Sequence, residues 1–449
     1  MTERRLGERW TAPVDIASIA ALRILFGVMM CAGLVRFMAS GWIEIVYVEP
    51  SFFFKYPGFE WVRVWGPTGL YLHHAVLAVL ALCVALGLYY RFSIVAFGLG
   101  WTYVQLMDQT NYLNHYYLVF LLCGLLAVLP AHAAFSIDAR RRPELRRSTV
   151  PRWMVSLLRF QVGVVYFYAA LAKLNADWLL HAQPLNIWLS SRTDLPFIGS
   201  WLGKLWVAYL LSWVGFLYDL TIPLWLSIRR TRGLAYLAVL GFHAMTQVFF
   251  DIGMFPTIMI VATTIFFDPS WPRRILRNAP SFAEAPTPRP GRLATAIVVA
   301  YCAFQVAVPL RHYLLDGDVL WNERGMRWSW KVMVREKNGA VTYHVRNTLT
   351  DRRWQVTPHR YLAWRQVSEM SSQPDMILQL GQHVAADFER RGLGPVEVRA
   401  EALVSLNGRR SQLLVDPAID VRRVGHDVPY AAWLMPGPTG APVQLTAHH

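Results

Sequence analysis

Charged residues are scarce in this sequence of 449 residues, of which 16% are Asp, Glu, Lys or Arg and 55% are hydrophobic. A soluble globular protein usually has about 25% charged residues. The deficit lies in residues 16–315, where long apolar runs follow one another, whereas residues 321–449 have an ordinary soluble composition. We therefore predict a multi-span transmembrane domain over residues 1–315 and a small extramembrane domain over residues 316–449.

Cysteine and the common cofactor motifs are scarce as well. The four cysteines, Cys31, Cys83, Cys123 and Cys302, all lie in apolar runs, which gives neither a disulfide framework nor a metal knuckle. The sequence has no HExxH motif, no GxGxxG or GxxxxGK[ST] phosphate loop and no His and carboxylate cluster. No nucleic-acid motif accompanies the net charge of +15. We expect no bound metal and no nucleic-acid partner.

The apolar runs and the basic loops together predict the topology. The candidate membrane spans are residues 16–38, 71–89, 92–107, 116–134, 153–173, 205–227, 233–250, 252–268 and 292–314. Lys and Arg cluster in residues 1–10, 139–152, 228–233 and 271–292, which nine crossings place on one side, and such loops stay in the cytoplasm. The expected fold is a mainly α polytopic membrane protein with about eight to nine transmembrane helices. Its N-terminus is cytoplasmic and its C-terminal domain extracytoplasmic.

The C-terminal domain alternates strand-like and helix-like segments. "RWSWKVMVRE", "GAVTYHVRN" and "RRWQVTP" are typical of a short meander, and "PDMILQLGQHVAADFERRGLG" predicts a helix between Pro and Gly. "VEVRAEALVSLN" and "RRSQLLVD" predict a hairpin joined at "NGRR". We expect a small α+β or β-sandwich-like domain with an irregular tail after about residue 424.

Two segments at the outer ends of the spans have unusual polar content. "LMDQTNYLNHYYL" (106–118) has Asp108, Asn114 and His115, and "LAKLNADW" (171–178) has Lys173. An ionisable group at membrane depth costs at least about 2.5 kcal/mol and usually faces a cavity where it has a role. A lysine at a helix end avoids that cost by snorkelling, so the residues alone leave Lys173 equally an anchor or a base. His243, deeper in its span, is most often an interhelical hydrogen-bond partner.

Five motifs in one order give the chain a family resemblance. "DQTNYLNHYYL", "KLNADW", "FHAM" followed by "IGMF", "DPSWPRRIL" and "RWSWKVMVR" resemble segments of the vitamin K-dependent γ-glutamyl carboxylases, and "VSLNGRRSQLLVDPAID" resembles a later part of that family's C-terminal domain. The resemblance covers residues 15–420, and the chain is similar in length to compact bacterial members of this horizontally transferred transmembrane-domain superfamily.

The resemblance implies a function. Family members use reduced vitamin K, a hydroquinone, with O2 and CO2 to convert peptidyl glutamate to γ-carboxyglutamate, and they release vitamin K 2,3-epoxide. The implied cofactor is a menaquinol- or phylloquinol-type hydroquinone, and the implied partners are a glutamate-containing peptide and the lipid bilayer. The implied location is the bacterial inner membrane. Monomer and homodimer both stay open.

The resemblance also implies roles for individual residues. Lys173 matches the base that deprotonates the hydroquinone, and His115, with Asn114 beside it, matches a residue that assists at the glutamate. The implied glutamate-binding residues are Arg327, Ser329, Trp330 and Arg192, and the other implied cofactor-binding residues are Asp108, His243 and Met254.

The sequence departs from the family pattern next to the base. Many relatives have a lysine and an aspartate where this chain has Ala172 and Asn175, and "TQVFFD" after "FHAM" is also altered. These departures keep open a different quinone-dependent membrane enzyme, or a quinone epoxidase with another acceptor. A transporter or receptor is disfavoured because the sequence has no internal repeat.

Overall fold

The computed structural model describes residues 10–250, 252–276, 290–425 and 428–445. The basic N-terminal residues 1–9 and most of the basic loop 271–292, which we predict to be cytoplasmic, lie outside the described residues.

Within the described part of the chain, the membrane domain has nine main helices, one for each predicted apolar segment. They are α1 (Ala17–Ala39), α2 (Pro67–Leu86), α3 (Tyr90–Met107), α4 (Asn114–Val128), α5 (Arg152–Lys173), α6 (Leu205–Ser227), α7 (Arg232–Phe249), α8 (Phe255–Thr263) and α9 (Arg292–Leu310). Short helices lie at Ile137–Arg141, Ala176–His181, Leu185–Ser190, Gly199–Leu202, Trp271–Ile275 and Val319–Asn322.

Five of these helices, α1, α2, α5, α6 and α9, are long and apolar enough to cross a bilayer. Helix α4 and the α8 segment up to Phe266 are apolar but shorter, and α3 and α7 have 18 residues each. The chain is therefore a helical integral membrane protein. The count of eight to nine crossings stays a prediction, because four of the nine helices fall short in length or hydropathy.

Local sequence explains how the first two long helices begin, end and pack. Helix α2 starts at Pro67, whose missing N–H costs nothing at a helix start, and ends at Gly87 in the left-handed region with φ of 63°. A Cβ on Gly27 of α1 would lie 2.5 Å from the backbone nitrogen of Ala85, so only glycine allows α1 to approach α2 this closely.

The structure brings basic segments together at one end of the bundle. Strand β1 (Pro13–Asp15), just after the N-terminal basic residues, pairs antiparallel with β2 (Thr149–Pro151) in the 139–152 loop. Arg273 Nε, from the start of the 271–292 loop, lies 2.7 Å from Asp15 Oδ2. These segments share one side, as the charge pattern predicts, and the orientation of that side is a prediction.

The C-terminal domain has an α+β fold. Its antiparallel sheet has the order β4-β3-β5-β6, and the full-length pairing of β3 with β5 runs from Lys337 opposite Leu406 to Asn347 opposite Val396. The elements are β3 (Lys337–Asn347), β4 (Arg353–Val356), α10 (Trp364–Met370), α11 (Pro374–Arg390), β5 (Val396–Leu406) and β6 (Gln412–Leu413). Helix α11 packs its buried apolar face against the sheet.

Two predictions for this domain are wrong. Residues 290–425 and 428–445 contain no second sheet, so the β-sandwich-like alternative fails. Residues 327–336 form a turn (327–330) followed by an irregular segment (331–336) instead of a strand, with Trp328 and Trp330 in the left-handed region at φ of 62° and 56°. The reason is that Trp330 packs into the membrane-domain core, so this segment cannot alternate its side chains across one sheet.

Each of the two domains buries a side chain of the other at the end of the bundle next to the C-terminal domain. Trp330 is fully buried in the core of the membrane domain, and Phe54, from the loop between α1 and α2, is fully buried in the core of the C-terminal domain. A third apolar cluster, around Trp178, Leu189 and Phe249, lies next to this junction. The candidate site is beside that cluster.

Candidate active site

Helices α5, α6 and α7 line a partly open cavity, whose empty space, including the part open to solvent, is about 780 Å³. Most of its wall is aromatic or aliphatic, and Met333 and Val332 of the C-terminal segment close one side. The polar side chains on the wall are Tyr166, Lys173, Asp219, His243 and Thr246. A mostly apolar cavity with a few convergent polar groups is the usual form of a small-molecule site.

Lys173 is the last residue of α5 and faces this cavity. Its side chain is only 7% exposed, and its Nζ lies 2.8 Å from Asp219 Oδ2, 3.3 Å from the carbonyl of Ala169 and 5.2 Å from the Trp178 ring centroid. A snorkelling lysine would place its ammonium group in water. The buried position and the carboxylate partner instead put this amine at the wall of a mostly apolar cavity.

Asp219 is the site residue that the sequence reasoning missed. It lies in the middle of α6, in "WVGFLYDLTIP", and its side chain is 6% exposed. The signal was present, because a carboxylate inside an apolar span is as costly as the lysine and needs a partner. The pair joins residues 46 positions apart in the chain, which no local pattern relates.

His243 lies deeper on the cavity wall, as a hydrogen-bond partner of Tyr166. The Tyr166 hydroxyl is 3.3 Å from His243 Nε2 and 3.4 Å from Thr263 Oγ1. The other imidazole nitrogen, Nδ1, is buried and has no hydrogen-bond partner within the described residues. A buried polar atom without a partner beside a cavity is a natural contact for a bound polar group.

His115 is close to the cavity but not on its wall. The Phe255 ring, which is on the cavity wall, neighbours both imidazoles, 5.9 Å from His115 and 6.0 Å from His243, centroid to centroid. His115 is buried, and its Nε2 has no hydrogen-bond partner in the part of the chain that the structure describes. Gly253 packs against His115, because a Cβ on Gly253 would lie 3.9 Å from His115 Nε2. Asn114 donates from Nδ2 to the carbonyl of Lys331 at 3.4 Å.

The segment 327–330 holds the expected glutamate-binding residues, and two of them already have protein partners. Arg327 donates to Asp375 Oδ2 at 2.8 Å and to Gln373 Oε1 at 2.5 Å. Burial opposes the charged form of Arg327, but Asp375 raises its pKa above the usual range. Ser329 Oγ donates to the carbonyl of Met326 at 2.5 Å, and Trp330 has a buried Nε1 without a partner in the described chain.

The remaining predicted site residues lie outside the cavity wall. Asp108 accepts hydrogen bonds from the Phe54 and Thr110 backbone N–H groups and from Gln366 Nε2, at 3.3, 3.1 and 2.7 Å, so it joins the two domains. Burial raises the pKa of Asp108 above its ordinary value, although the hydrogen bonds lower it.

Met254 and Arg192 also have contacts away from the cavity. The Met254 side chain packs against Gly33 of α1, where a Cβ would come within 2.5 Å of the methionine Cε. Arg192 donates from Nη2 to the carbonyl of Val248 at 2.6 Å, near the outer end of α7. Neither residue lines the cavity.

The residues after Lys173 have structural tasks. Asn175 caps the Ala176–His181 helix by accepting from the Trp178 backbone N–H at 2.9 Å. Asp177 accepts from Arg409 at 2.6 and 2.7 Å and from Asn407 at 2.9 Å, which ties this loop to the β5–β6 hairpin. Burial would raise the pKa of Asp177, but these hydrogen bonds lower it below its usual value.

The outer wall of the cavity is held by the chain's last described residues. Gln183 Nε2 donates to the carbonyl of Val443 at 2.9 Å. Asn186 exchanges two hydrogen bonds with the Leu445 backbone, at 2.8 and 3.0 Å. Because Leu185 and Leu189 line the cavity, this C-terminal strap, residues 443–445, fixes the segment that closes it.

Two family models match this chain. Residues 11–271 match the HTTM domain, and residues 290–439 match the lumenal domain of vitamin K-dependent gamma-carboxylase. No solved structure matches. The HTTM match covers more than half of the sequence and includes Lys173, Asp219 and His243, and the lumenal-domain match includes the Arg327–Trp330 segment. The chain belongs to the vitamin K-dependent gamma-carboxylase family, as a member with an HTTM membrane domain and the lumenal domain.

Proposed function

We propose that this protein is a peptidyl-glutamate 4-carboxylase that uses vitamin K hydroquinone, O2 and CO2 and releases vitamin K 2,3-epoxide. The observation that carries the proposal is the placement of Lys173 beside Asp219 on the wall of an apolar cavity within the HTTM domain. The family match supports a carboxylase-type function of the lumenal domain.

The residues of the cavity suit a reduced quinone. The aromatic and aliphatic wall accommodates a bicyclic ring and an isoprenoid tail, and the partnerless Nδ1 of His243 and the Lys173 amine offer polar contacts to two hydroxyl groups. When bound, the hydroquinone supplies, by its oxidation with O2, the base strength that no protein side chain has. Lys173 Nζ removes a hydroxyl proton, and the apolar wall excludes the water that would quench a carbanion.

The glutamate peptide would approach from the side of the C-terminal domain. His115, Asn114 and Trp330 lie at the junction of the two domains, and two of them have buried nitrogens without partners, His115 Nε2 and Trp330 Nε1. We propose that these groups contact the glutamyl side chain. Arg327 could do so only by leaving Asp375, because that ion pair occupies its guanidinium.

The proposed location is the bacterial inner membrane, with the C-terminal domain outside the cytoplasm. The grouping of β1, β2 and Arg273 at the other end of the bundle supports this orientation, because these segments adjoin the basic loops.

The second candidate is a quinone epoxidase, or another quinone-dependent enzyme, that acts on a different acceptor. The position of His115 favours it, because His115 is not on the wall of the Lys173 cavity and its ring neighbour Phe255 is. On this proposal, carboxylation of a peptide bound at His115 needs a path past Phe255, whereas oxidation of the quinone does not.

One experiment tests both candidates. The full-length protein in lipid nanodiscs receives reduced vitamin K, bicarbonate and a Glu-containing peptide, and epoxide and carboxylated peptide are measured by chromatography and mass spectrometry. Formation of both products supports the carboxylase, and epoxide without carboxylated peptide supports the second candidate. Absence of both rejects both. Phe255→Ala is the informative variant, because opening this barrier should raise carboxylation relative to epoxidation if the peptide binds at His115.

A further inference from the structure

The buried ion pair on the cavity wall sets a chemical problem for a lysine base. An amine accepts a proton only when it is neutral, yet Lys173 Nζ is in an ion pair with Asp219 Oδ2 at 2.8 Å. Within the described residues, Asp219 is the one carboxylate on the cavity wall, and its only hydrogen bond is the one from Lys173. The other titratable groups near the pair are Tyr166 and His243, which are on the cavity wall, and Tyr218, which precedes Asp219 and contacts the Tyr166 ring.

We propose that Lys173 and Asp219 accept the proton as one unit, with Asp219 as the group that finally holds it. At rest the pair shares one proton as ammonium and carboxylate. The substrate hydroxyl gives its proton to Nζ while Nζ gives one of its own to Asp219 Oδ2, and the bonding electrons stay on the hydroxyl oxygen. The pair ends as ammonium and neutral carboxylic acid. This inference rests on the proposed function and adds a catalytic role for Asp219.

The geometry gives this arrangement two advantages over a lone lysine. The ammonium that remains after transfer lies at the cavity wall, where it stabilises the new negative charge on the oxygen. The number of buried charges also stays the same, because the negative charge moves from Asp219 to the substrate oxygen, whereas a lone neutral lysine would create two new charges in a poorly solvated site. The Ala169 carbonyl, 3.3 Å from Nζ, and the Trp178 ring hold the amine in place during the exchange.

Amine labelling separates the charge state of Lys173 from turnover. Fluorodinitrobenzene reacts only with the neutral amine and is apolar enough to enter the cavity, and mass spectrometry of the Lys173 peptide measures the rate against pH. We expect Asp219→Asn to be labelled roughly tenfold faster or more at pH 7, because it lacks the carboxylate. Asp177→Asn is the matched control, since Asp177 binds Arg409 and should leave the labelling rate unchanged.

The pH dependence of quinol oxidation is measured on the same samples. In the natural protein, the turnover rate and the labelling rate should both rise with pH. The rise in turnover should come at a pH at least about one unit lower, because the ion pair, which already holds one proton, can accept another. In Asp219→Asn the two curves should coincide, because only the amine is left to accept the proton. Asp219→Glu keeps a carboxylate and should keep the curves apart, which covers the case that Asp219→Asn does not fold.

Three results would overturn the inference. The first is that the turnover and labelling curves of the natural protein coincide. The second is that Lys173 is labelled at the same rate in the natural protein and in Asp219→Asn. The third is that His243→Gln loses the rise of turnover with pH, which would assign that rise to the imidazole. Absence of quinol turnover at every pH is a different result. It rejects the proposed function, whereas the first three reject only the role of Asp219.

Discussion

The molecule contains two buried lysines with a carboxylate and a tryptophan as neighbours, and they differ in what else surrounds them. Lys337, in the C-terminal domain, donates to the carbonyls of Trp321 and Ser372 at 2.5 and 2.6 Å and to Glu323 at 3.3 Å, so all three of its N–H groups are used. Lys173 has one strong partner, Asp219, and one longer bond to a carbonyl.

The difference separates a lysine with a structural role from the lysine that we propose as a base. Lys337 is enclosed by protein and holds the 316–323 segment and the end of α10 to β3. Lys173 lies on a cavity, so that a bound molecule can reach the N–H group that has no partner among the described residues. Burial and an ion pair are common to both lysines, and only the cavity and the incomplete hydrogen bonding distinguish Lys173.

Removal of the Lys173 amine should have the largest effect. Lys173→Ala is expected to lower quinol oxidation by at least about 100-fold, because the proton acceptor is lost. The elution profile in detergent should stay unchanged. Epoxide formation is the measurement, and Lys204→Ala, at an exposed lysine beside Trp201, is the control. Normal turnover in Lys173→Ala would make this lysine an anchor after all.

Removal of the Lys337 amine should give the opposite result. Lys337→Met is expected to destabilise the C-terminal domain by about 3 kcal/mol or less, because Glu323 keeps Arg335 as a partner at 3.2 Å. Thermal unfolding is the measurement. Quinol oxidation per folded molecule should not change, and a specific loss of oxidation with normal stability would erase the distinction between the two lysines.

The shifted pKa of Lys337 predicts that the stability of the C-terminal domain depends on pH. Burial lowers its pKa from 10.5 to about 8. Between these two values the unfolded chain binds the proton that the folded chain has released, so the free energy of unfolding rises with pH. The predicted measurement is denaturant unfolding from pH 7.5 to 10, in which Lys337→Met should lack this rise. An equal rise in the variant would assign it to another group.

Removal of the Asp177 carboxylate should have the smallest effect of these changes, and the effect should be on stability. Asp177→Asn is expected to lower the free energy of unfolding by about 1–2 kcal/mol, since the amide oxygen still accepts one hydrogen bond from Arg409. The lowered pKa of Asp177 means that its contribution is present at neutral pH and is lost as the pH falls through the folded-state pKa. Limited proteolysis of the β5–β6 hairpin measures the loosened contact, and Asp194→Asn is a surface control.

The sequence predicted the helices and Lys173 because both leave local signals. An apolar run or a lysine at its end is visible in a window of about 20 residues. Asp219 was also visible, but its pairing with Lys173 depends on how α5 and α6 pack, which no window contains. The sequence therefore indicated Asp219 as a carboxylate within a span, but not its position beside Lys173 on the cavity wall.

The wrong strand at 327–336 has a different cause. Its alternation of tryptophan and valine is real, but Trp330 belongs to the core of the other domain and Arg327 to an ion pair with Asp375. Asn175 is similar, because its role as a helix cap becomes visible only in the fold. A segment whose side chains pack into two different cores does not show the side-chain periodicity of either core.

The strap at residues 443–445 has a consequence for biosynthesis. The side-chain amides of Gln183 and Asn186 form hydrogen bonds with residues that lie 260 and 259 positions later in the chain. About 260 further residues must therefore be synthesised before these hydrogen bonds can form. Until then the outer wall of the cavity lacks the bonds that hold it, so a nascent chain would carry every membrane helix and still have an unfinished cavity. The cavity wall gains these hydrogen bonds only when residues 443–445 reach the same side of the membrane as Gln183 and Asn186.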